Sequence, residues 1–188
     1  PWANASNTPF RKFKIYDHEG GISTPLIANW PRVIRSGQIT HQVGHIMDFL
    51  PTLAELAGAE YPGMFNGVPV LPGAGKSLLP VFQGKQRTDD RPLFWELWDC
   101  RAVRKGRWKL VTMGPARPGK LWREIEPGHE GWELYDIEAD RCEGNDLSGH
   151  HPEVVRELDV LWKEWYERCR RDREGTAVNR NDDRNYDP

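Results

Sequence analysis

The sequence predicts an α/β fold that continues into a small antiparallel sheet with a packed C-terminal helix. An apolar stretch from Thr24 to Trp30 predicts a strand, and the residues from Val43 to Ala57 follow with helical periodicity, which together make one α/β half-unit. Short runs rich in aromatic and β-branched residues come next and predict an antiparallel sheet. A second helical pattern begins at Pro152.

The first half-unit has recognisable boundaries. The run from Leu26 to Ala28 is apolar on consecutive positions, which is typical of a strand buried on both faces of a mainly parallel sheet. In the helix that follows, Asp48 is the predicted N-cap, Pro51 falls in the first turn, and Gly58 occupies the position of a left-handed C-cap. The apolar face of this helix consists of Leu50, Leu53, Ala54 and Ala57.

The second half combines strands with one long helix. The tetrapeptide "RKGR" between Val103 and Trp108 predicts a hairpin turn in which Gly106 has a positive φ. Pro152 suits the first position of the final helix. We expect the apolar stripe of this helix to lie on the small sheet; it consists of Val154, Leu158, Leu161, Trp162 and Trp165. Beyond Arg170 the sequence is charged and predicts a solvated tail.

Composition excludes some classes of function. The formal net charge is -2, with 26 Lys and Arg against 28 Asp and Glu, which argues against nucleic-acid binding driven by phosphate contacts. No run approaches the roughly 18 apolar residues of a membrane span. The nine Trp predict core packing first, because such side chains bury large areas. The chain starts at Pro1 without a leader pattern, so we expect a fragment or a processed product.

Two short motifs are better explained structurally than functionally. The sequence "GAGKS" from Gly73 to Ser77 lacks the spacing of a phosphate-binding loop, because Val70 stands where the first glycine is needed. His41 and His45 are spaced by one helical turn and could share a metal, but no carboxylate accompanies them on that face. We expect them to lie at the entry of the helix.

The best candidate for a functional site is the segment around Lys14. Arg11 and Lys12 lie close to it in sequence, and the pair Gly20-Gly21 follows, whose missing side chains let a backbone approach a ligand closely. A flexible ammonium can bind a tetrahedral anion at the mouth of an α/β sheet, where such folds place their ligands. The alternative is a solvated basic loop without a ligand, which composition alone favours.

Six segments in this order resemble the C-terminal portion of a formylglycine-dependent sulfatase of the arylsulfatase type, within the alkaline-phosphatase superfamily. They are "NTPFRKFKIYDHEGGISTPLIANWP", "HIMDFLPTLAELAG", "GKSLLPVFQG", "LFWELWDCRAVRKGRWKLV", "WELYDIEADRCEGNDL" and "HPEVV". The resemblance implies the C-terminal end of a sulfatase-type α/β sandwich domain over residues 1–87. It further implies a small antiparallel sheet with a packed helix over 88–170, before the charged tail at 171–188.

The resemblance also implies roles for individual residues. In such enzymes a formylglycine hydrate attacks the sulfur of a sulfate ester, while a calcium ion polarises the sulfate. Lys14 matches the family lysine that contacts the sulfate, so it is the predicted catalytic and substrate-binding residue. His18 is a second predicted substrate-binding residue. We expect Glu19 to be structural and to hold the turn through backbone N–H groups.

The sequence departs from the family in what it lacks. It contains neither the C/S-x-P-x-R motif that yields formylglycine nor the acidic clusters that bind calcium. The resemblance therefore assigns both groups to residues upstream of Pro1, and it assigns no metal ligand to this chain. The expected function is hydrolysis of aryl or carbohydrate sulfate esters by a longer protein, with the isolated chain inactive.

The expected partners are a sulfate-ester substrate and the remainder of the catalytic domain, with neither nucleic acid nor a membrane segment in this chain. One alternative is a phosphonate or phosphodiester hydrolase of the same superfamily, which relative rates on matched sulfate and phosphate esters would separate. Another is a non-catalytic module that binds sulfated glycans, which glycan binding by the isolated chain would favour. The resemblance is compatible with a periplasmic or extracellular location, which the sequence leaves undetermined.

Overall fold

The structure is a computed structural model that describes residues 2–97, 100–112 and 131–175. The chain divides into two compact units. The sheet unit comprises residues 1–24 and 90–188, and the α3 unit comprises residues 25–89. The domain boundaries expected from the sequence stay a prediction, although residues 1–24 belong to the same compact unit as the small sheet.

The described helices are short except for the last. They are α1 (Trp2–Ser6), α2 (Glu19–Ile22), α3 (Phe49–Ala57), α4 (Leu79–Phe82) and α5 (Pro152–Gly175), with a 3-10 turn at Ile46–Asp48. The described strands are β1 (Met64–Phe65), β2 (Val68–Pro69), β3 (Leu93–Leu97), β4 (Cys100–Lys105), β5 (Trp108–Thr112) and β6 (Glu133–Asp136). No described helix is both long and apolar enough to cross a membrane.

Strands β3 to β6 form a four-stranded antiparallel sheet in which neighbours in sequence are neighbours in space. The turn predicted between β4 and β5 is confirmed, since Lys105 pairs with Trp108 and Gly106 has a φ of 58°. The register of β5 and β6 places Lys109 opposite Tyr135. The predicted small antiparallel sheet followed by a helix is thereby confirmed.

Both faces of this sheet are covered, because successive residues of a strand point to opposite sides. One face packs against α5 through a core made of Val103, Leu110, Leu134, Leu158 and Trp162. The other face carries a second core made of Ala102, Val111, Tyr135 and Ile137. Lys109 alternates with Leu110 and so belongs to this second face, where its side chain is fully buried.

Helix α5 begins at Pro152, as predicted, and its apolar stripe packs on the sheet. The indole Nε1 of Trp162 donates a hydrogen bond to the carbonyl oxygen of Trp95 at 3.1 Å, which fixes the helix against β3. The predicted use of tryptophan in core packing is therefore confirmed for this helix. It runs to Gly175, beyond the predicted start of the charged tail, and residues 176–188 lie outside the described ones.

In the α3 unit the predicted helix is confirmed from Phe49 onward. Pro51 lies in its first turn, and Gly58 ends it with a φ of 63°. Asp48 takes the N-cap position, but its side chain does not cap α3. Its carboxylate instead accepts the backbone N–H of Lys76 at 2.9 Å and pairs with the guanidinium of Arg87 at 3.0 Å.

The strand predicted from Thr24 to Trp30 is wrong, because this segment has no regular structure and is exposed. Leu26 is 54% and Ile27 is 90% exposed. A strand needs a neighbour for its backbone N–H and C=O groups, and the described strands pair with one another instead. The apolar run alone was therefore insufficient to specify a strand.

Candidate functional site

Lys14 lies on a loop that we call the Lys14 loop, residues 11–18. Its side chain is exposed, and the described residues supply it with no hydrogen-bond or ion-pair partner. Its near neighbours Lys12 and Ile15 have φ values of 67° and 97°. Such angles are costly, above all for a β-branched residue, and persist only where surrounding contacts impose them. The Lys14 loop must therefore be held in place from outside itself.

The glycine pair provides the first of these contacts. A Cβ atom on Gly20 would lie 2.2 Å from the carbonyl oxygen of Arg11, and one on Gly21 would lie 1.9 Å from that of Tyr16. The N–H of Gly20 also donates to the oxygen of Arg11 at 2.9 Å. The backbone of the glycine pair therefore makes the expected close approach, but it approaches the Lys14 loop and not a ligand.

Glu19 provides the second contact, by reaching down to the sheet. Its carboxylate accepts a hydrogen bond from Nζ of Lys109 at 3.0 Å, and its other oxygen pairs with the guanidinium of Arg141 at 3.1 Å. Burial opposes the charge on Glu19, but the ammonium of Lys109 and the guanidinium of Arg141 outweigh it and hold the pKa of Glu19 below its usual value. Glu19 is thus an ionised, buried anchor.

Glu143 completes this buried cluster. One of its carboxylate oxygens lies 2.8 Å from Nζ of Lys109, and the other accepts the backbone N–H of Glu19 at 2.9 Å. The side chains of Lys109 and Glu143 are both fully buried. The expectation that Glu19 would hold the turn through backbone N–H groups is therefore wrong in its detail. Glu143 binds that backbone, and Glu19 binds the cations.

His18 lies in the interior of the sheet unit and is fully buried. Its Nε2 is 2.9 Å from the carboxylate of Glu133, which also accepts a hydrogen bond from the hydroxyl of Tyr135 at 2.7 Å. The hydrogen bond with His18 acts most strongly on Glu133, and with that of Tyr135 it overcomes burial to lower the pKa of Glu133 to about 2. Arg11 extends this chain by donating to the Tyr135 hydroxyl at 2.8 Å.

Asp17 is a buried carboxyl of the loop, and one of its oxygens has no hydrogen-bond partner among the described residues. It is 4% exposed, and the oxygen without a partner is Oδ2. Burial raises the pKa of Asp17 to about 7; the nearby Lys109 opposes this rise and Glu96 adds to it. The interior beneath the Lys14 loop therefore contains a carboxyl that titrates near neutral pH.

Sequence reasoning missed the residues beneath the loop, which are Lys109, Glu133, Tyr135, Arg141 and Glu143. Lys109 carried one usable signal, because it occupies an inward-facing position beside apolar residues in "WKLVT", where an unpaired lysine is rare. The others carried none, since Glu143 and Glu133 meet their partners in the loop across 124 and 115 positions of sequence.

Chemically, the site presents the exposed ammonium of Lys14, whereas the ammonium of Lys12 lies over the ring of Tyr16 at 5.4 Å. Lys14 can donate up to three hydrogen bonds to an anion as a compact point charge. Within the described ranges, no group of three or more His, Cys, Asp or Glu is placed to hold a metal ion. These residues therefore do not fit the calcium that the resemblance implies.

His45 lies at the entry of the helical segment, as predicted, directly before the 3-10 turn at Ile46–Asp48. Its Nδ1 accepts the N–H of Met47 at 3.3 Å.

Comparison with known proteins supports the resemblance. A sequence model of the family described as "N-sulphoglucosamine sulphohydrolase, C-terminal" matches residues 10–166. An uncharacterized sulfatase of Schizosaccharomyces pombe is 35% identical over 164 residues, which cover 86% of this chain and 28% of that protein. The N-acetylgalactosamine-6-sulfatase of Mus musculus is 32% identical over 167 residues, with the same coverage of 86% and 28%. The chain thus spans less than a third of the length of these relatives.

A solved structure shows the same fold. The crystal structure of Ps i-CgsB superposes with a TM-score of 0.65 and 23% sequence identity, over 85% of this chain and 32% of that chain. The same protein in complex with k-i-k-neocarrahexaose gives a TM-score of 0.64 at 24% identity, over 85% and 32%. At this identity the likeness concerns the fold alone. Because the family model spans most of the sequence, this chain belongs to the sulfatase family described as N-sulphoglucosamine sulphohydrolase, C-terminal.

Proposed function

We propose that this chain is the C-terminal part of an enzyme that hydrolyses sulfate esters, aryl or carbohydrate, and that Lys14 contacts the sulfate. The observation that carries the proposal is the exposed, unpaired ammonium of Lys14 on a tightly held loop, in a chain of the sulfatase family. A surface lysine that only contributes to solubility does not need a constrained backbone. A lysine that must contact a reacting group does need one, because the reaction depends on its position.

The role of Lys14 is electrostatic. In sulfate-ester cleavage, negative charge lies on the sulfate oxygens and builds up on the leaving oxygen. An ammonium carried on a backbone that is held in place offsets that charge with little reorganisation during the reaction, and this is the kind of interaction that lowers a barrier most. Lys14 is suited to this task because no described carboxylate competes for its charge.

Contact of His18 with substrate stays a prediction. Its Nε2 is bonded to Glu133, and its Nδ1 is buried without a hydrogen-bond partner among the described residues. These contacts favour a role in fixing the Lys14 loop on β6. A substrate contact would require access to Nδ1.

We assign the catalytic groups that the family implies to the remainder of the catalytic domain. Formylglycine supplies the nucleophile and calcium polarises the sulfate in such enzymes. The sequence has no C/S-x-P-x-R motif, and the described residues form no metal-binding group.

The surface of the α3 unit supports such a remainder. Its helix α3 exposes Phe49, Leu50, Leu53 and Leu56 by 41–63%. Contiguous apolar surface of this kind marks an interface, since isolated soluble units rarely expose it. We propose that the remainder of the catalytic domain covers this face.

The test is the substitution Lys14→Ala in the complete protein, with an aryl sulfate as substrate. We expect kcat/KM to fall by about 10²- to 10³-fold, which is typical for loss of one charge-stabilising donor. The matched control is Lys163→Ala, because Lys163 is an exposed lysine of α5. A near-wild-type rate for Lys14→Ala would remove this lysine from the mechanism. Metal-dependent turnover by the isolated chain would refute the proposed division of the site.

A further inference from the structure

The buried cluster beneath the Lys14 loop contains more charge than packing requires. Nζ of Lys109 lies 3.0 Å from Glu19 and 2.8 Å from Glu143, and all three side chains are at most 4% exposed. Buried ion pairs are often no more stabilising than apolar side chains of similar volume, because desolvation offsets their attraction. Such a cluster does fix the relative positions of its side chains, because each hydrogen bond needs its partner at a defined distance and angle.

The contacts of this cluster include the backbone of Glu19, which directly follows the Lys14 loop. Glu143 binds Lys109 with one oxygen and the N–H of Glu19 with the other, at 2.8 and 2.9 Å. Glu19 is bound a second time through its own carboxylate, which contacts Lys109. The first residue of α2 is therefore fixed at both its main chain and its side chain.

From Glu19 the constraint passes to Lys14 through the glycine pair. Gly20 and Gly21 touch the carbonyl oxygens of Arg11 and Tyr16 so closely that no Cβ fits between them. Those two carbonyls bracket Lys14. The positive φ of Ile15, next to Lys14, shows that this turn is held away from its preferred conformation.

We propose that Lys109 is a positioning residue for Lys14: by binding Glu19 and Glu143 beneath the loop, it fixes where the Lys14 ammonium meets the sulfate. The inference rests on the proposed function, because it needs Lys14 to act on the substrate. Lys109 itself is fully buried, so its ammonium is not accessible to a substrate. It acts only through the loop above it.

The experiment is a double-mutant cycle in the complete protein, with kcat/KM on an aryl sulfate as the readout. The variants are Lys109→Met, Lys14→Ala and the pair combined. We expect Lys109→Met to lower kcat/KM by about 10- to 100-fold, as small misplacements of a catalytic group do. In the Lys14→Ala background the same change should have an effect within about twofold, because no ammonium remains to be misplaced.

The cycle separates this inference from the proposed function. If Lys14→Ala alone keeps a near-wild-type rate, the proposed function of Lys14 fails, and the positioning role fails with it. If Lys14→Ala is impaired but Lys109→Met is silent, or lowers kcat/KM equally in both backgrounds, only the positioning role is overturned. Equal loss in both backgrounds is what a purely structural residue would produce.

One further variant keeps the test decisive if Lys109→Met does not fold, and a second serves as a control. Glu143→Gln removes one charge of the cluster but retains an oxygen for the N–H of Glu19, and we expect the same non-additivity with Lys14→Ala at a smaller loss. Unchanged or additive kinetics in folded Glu143→Gln would overturn the inference. Lys105→Met is the matched control, because Lys105 pairs with Glu157 on the surface at 2.8 Å and should leave kcat/KM unchanged.

Discussion

The two units of the chain both contain buried ion pairs, but they differ in how far their apolar side chains are exposed. In the sheet unit, the fully buried Lys109 pairs with Glu143, and Leu110 beside it is also fully buried. In the α3 unit, the fully buried Asp48 pairs with Arg87, whereas Leu53 of α3 is 63% exposed. A buried ion pair therefore does not indicate whether the apolar side chains of a unit are buried or exposed.

The difference extends over the whole described surface of each unit. Large apolar side chains that are more than half exposed in the α3 unit are Leu26, Ile27, Ile39, Ile46, Leu50, Leu53, Met64, Phe65, Val68 and Leu71. Among described residues of the sheet unit, only Trp2 and Val160 reach that exposure. The sheet unit buries its apolar core with its own residues, whereas the α3 unit leaves a large apolar surface exposed, as we expect if the proposed remainder of the catalytic domain covers it.

The strongest test of this contrast compares Leu110→Ala with Leu53→Ala, each in the isolated chain and in the complete protein. Leu110→Ala should lower the free energy of unfolding by about 2–5 kcal/mol in both contexts, because its side chain is buried in either. Leu53→Ala should cost less than about 0.5 kcal/mol in the isolated chain. In the complete protein it should approach the cost of a buried leucine. Denaturant unfolding monitored by Trp fluorescence measures all four values.

A negligible effect of Leu53→Ala in the complete protein would break the comparison, since the α3 face would then be exposed there too. A large effect already present in the isolated chain would contradict the exposure of Leu53. Leu110→Ala serves as the internal control in each context.

The parts of this fold that the sequence predicted are those set by local rules. Gly58 and Gly106 adopt their predicted positive φ because the end of a helix and a tight hairpin each require it. The stripe of α5 was readable because helical spacing alone decides which residues share a face. Lys14 was placed by resemblance, and its exposure agrees with the role that the resemblance implies.

The parts that were missed depend on distant partners. The run from Leu26 to Ala28 looked like a strand, but strands exist only where a neighbour supplies hydrogen bonds. Lys109 meets Glu19 across 90 positions of sequence, and nothing near either residue indicates the other. The glycine pair was recognised as a point of close approach, but only the structure identifies the Lys14 loop as the partner.

A second test compares the buried aspartates of the two units. Burial raises the pKa of Asp17 from its ordinary 3.8 to about 7, so the folded state binds this proton more tightly than the unfolded state. Stability should therefore fall as pH rises from about 4 through 7. Asp17→Asn removes that loss and should stabilise the protein at pH 8 by up to about 4 kcal/mol, with little gain at pH 4. Thermal unfolding at both pH values measures the difference.

The matched substitution in the other unit is Asp48→Asn. Asp48 is bound by Arg87 and by the N–H of Lys76, so loss of its charge removes one of the two carboxylates that pair with the buried guanidinium and leaves it only Asp89. We expect Asp48→Asn to destabilise the protein at pH 8, opposite in sign to Asp17→Asn. Stabilisation by both variants, or by neither, would show that the two buried carboxyls do not differ as their contacts indicate.

The smallest effects should come from surface ion pairs, and they should be alike in the two units. Lys105 pairs with Glu157 at 2.8 Å in the sheet unit, and Lys76 pairs with Asp89 at 3.1 Å in the α3 unit; the two lysine side chains are 46% and 48% exposed. Asp89 is only 10% exposed, but it keeps Arg87 as a partner at 2.9 Å when Lys76 is replaced, so the loss should again be small. Exposed pairs contribute about 0.2–1 kcal/mol and weaken in salt. Lys105→Ala and Lys76→Ala should each change the free energy of unfolding within that range, and the change should shrink in 1 M NaCl, where the Debye length is about 3 Å. A much larger cost for either one would mean that surface charge, and not apolar burial alone, separates the two units.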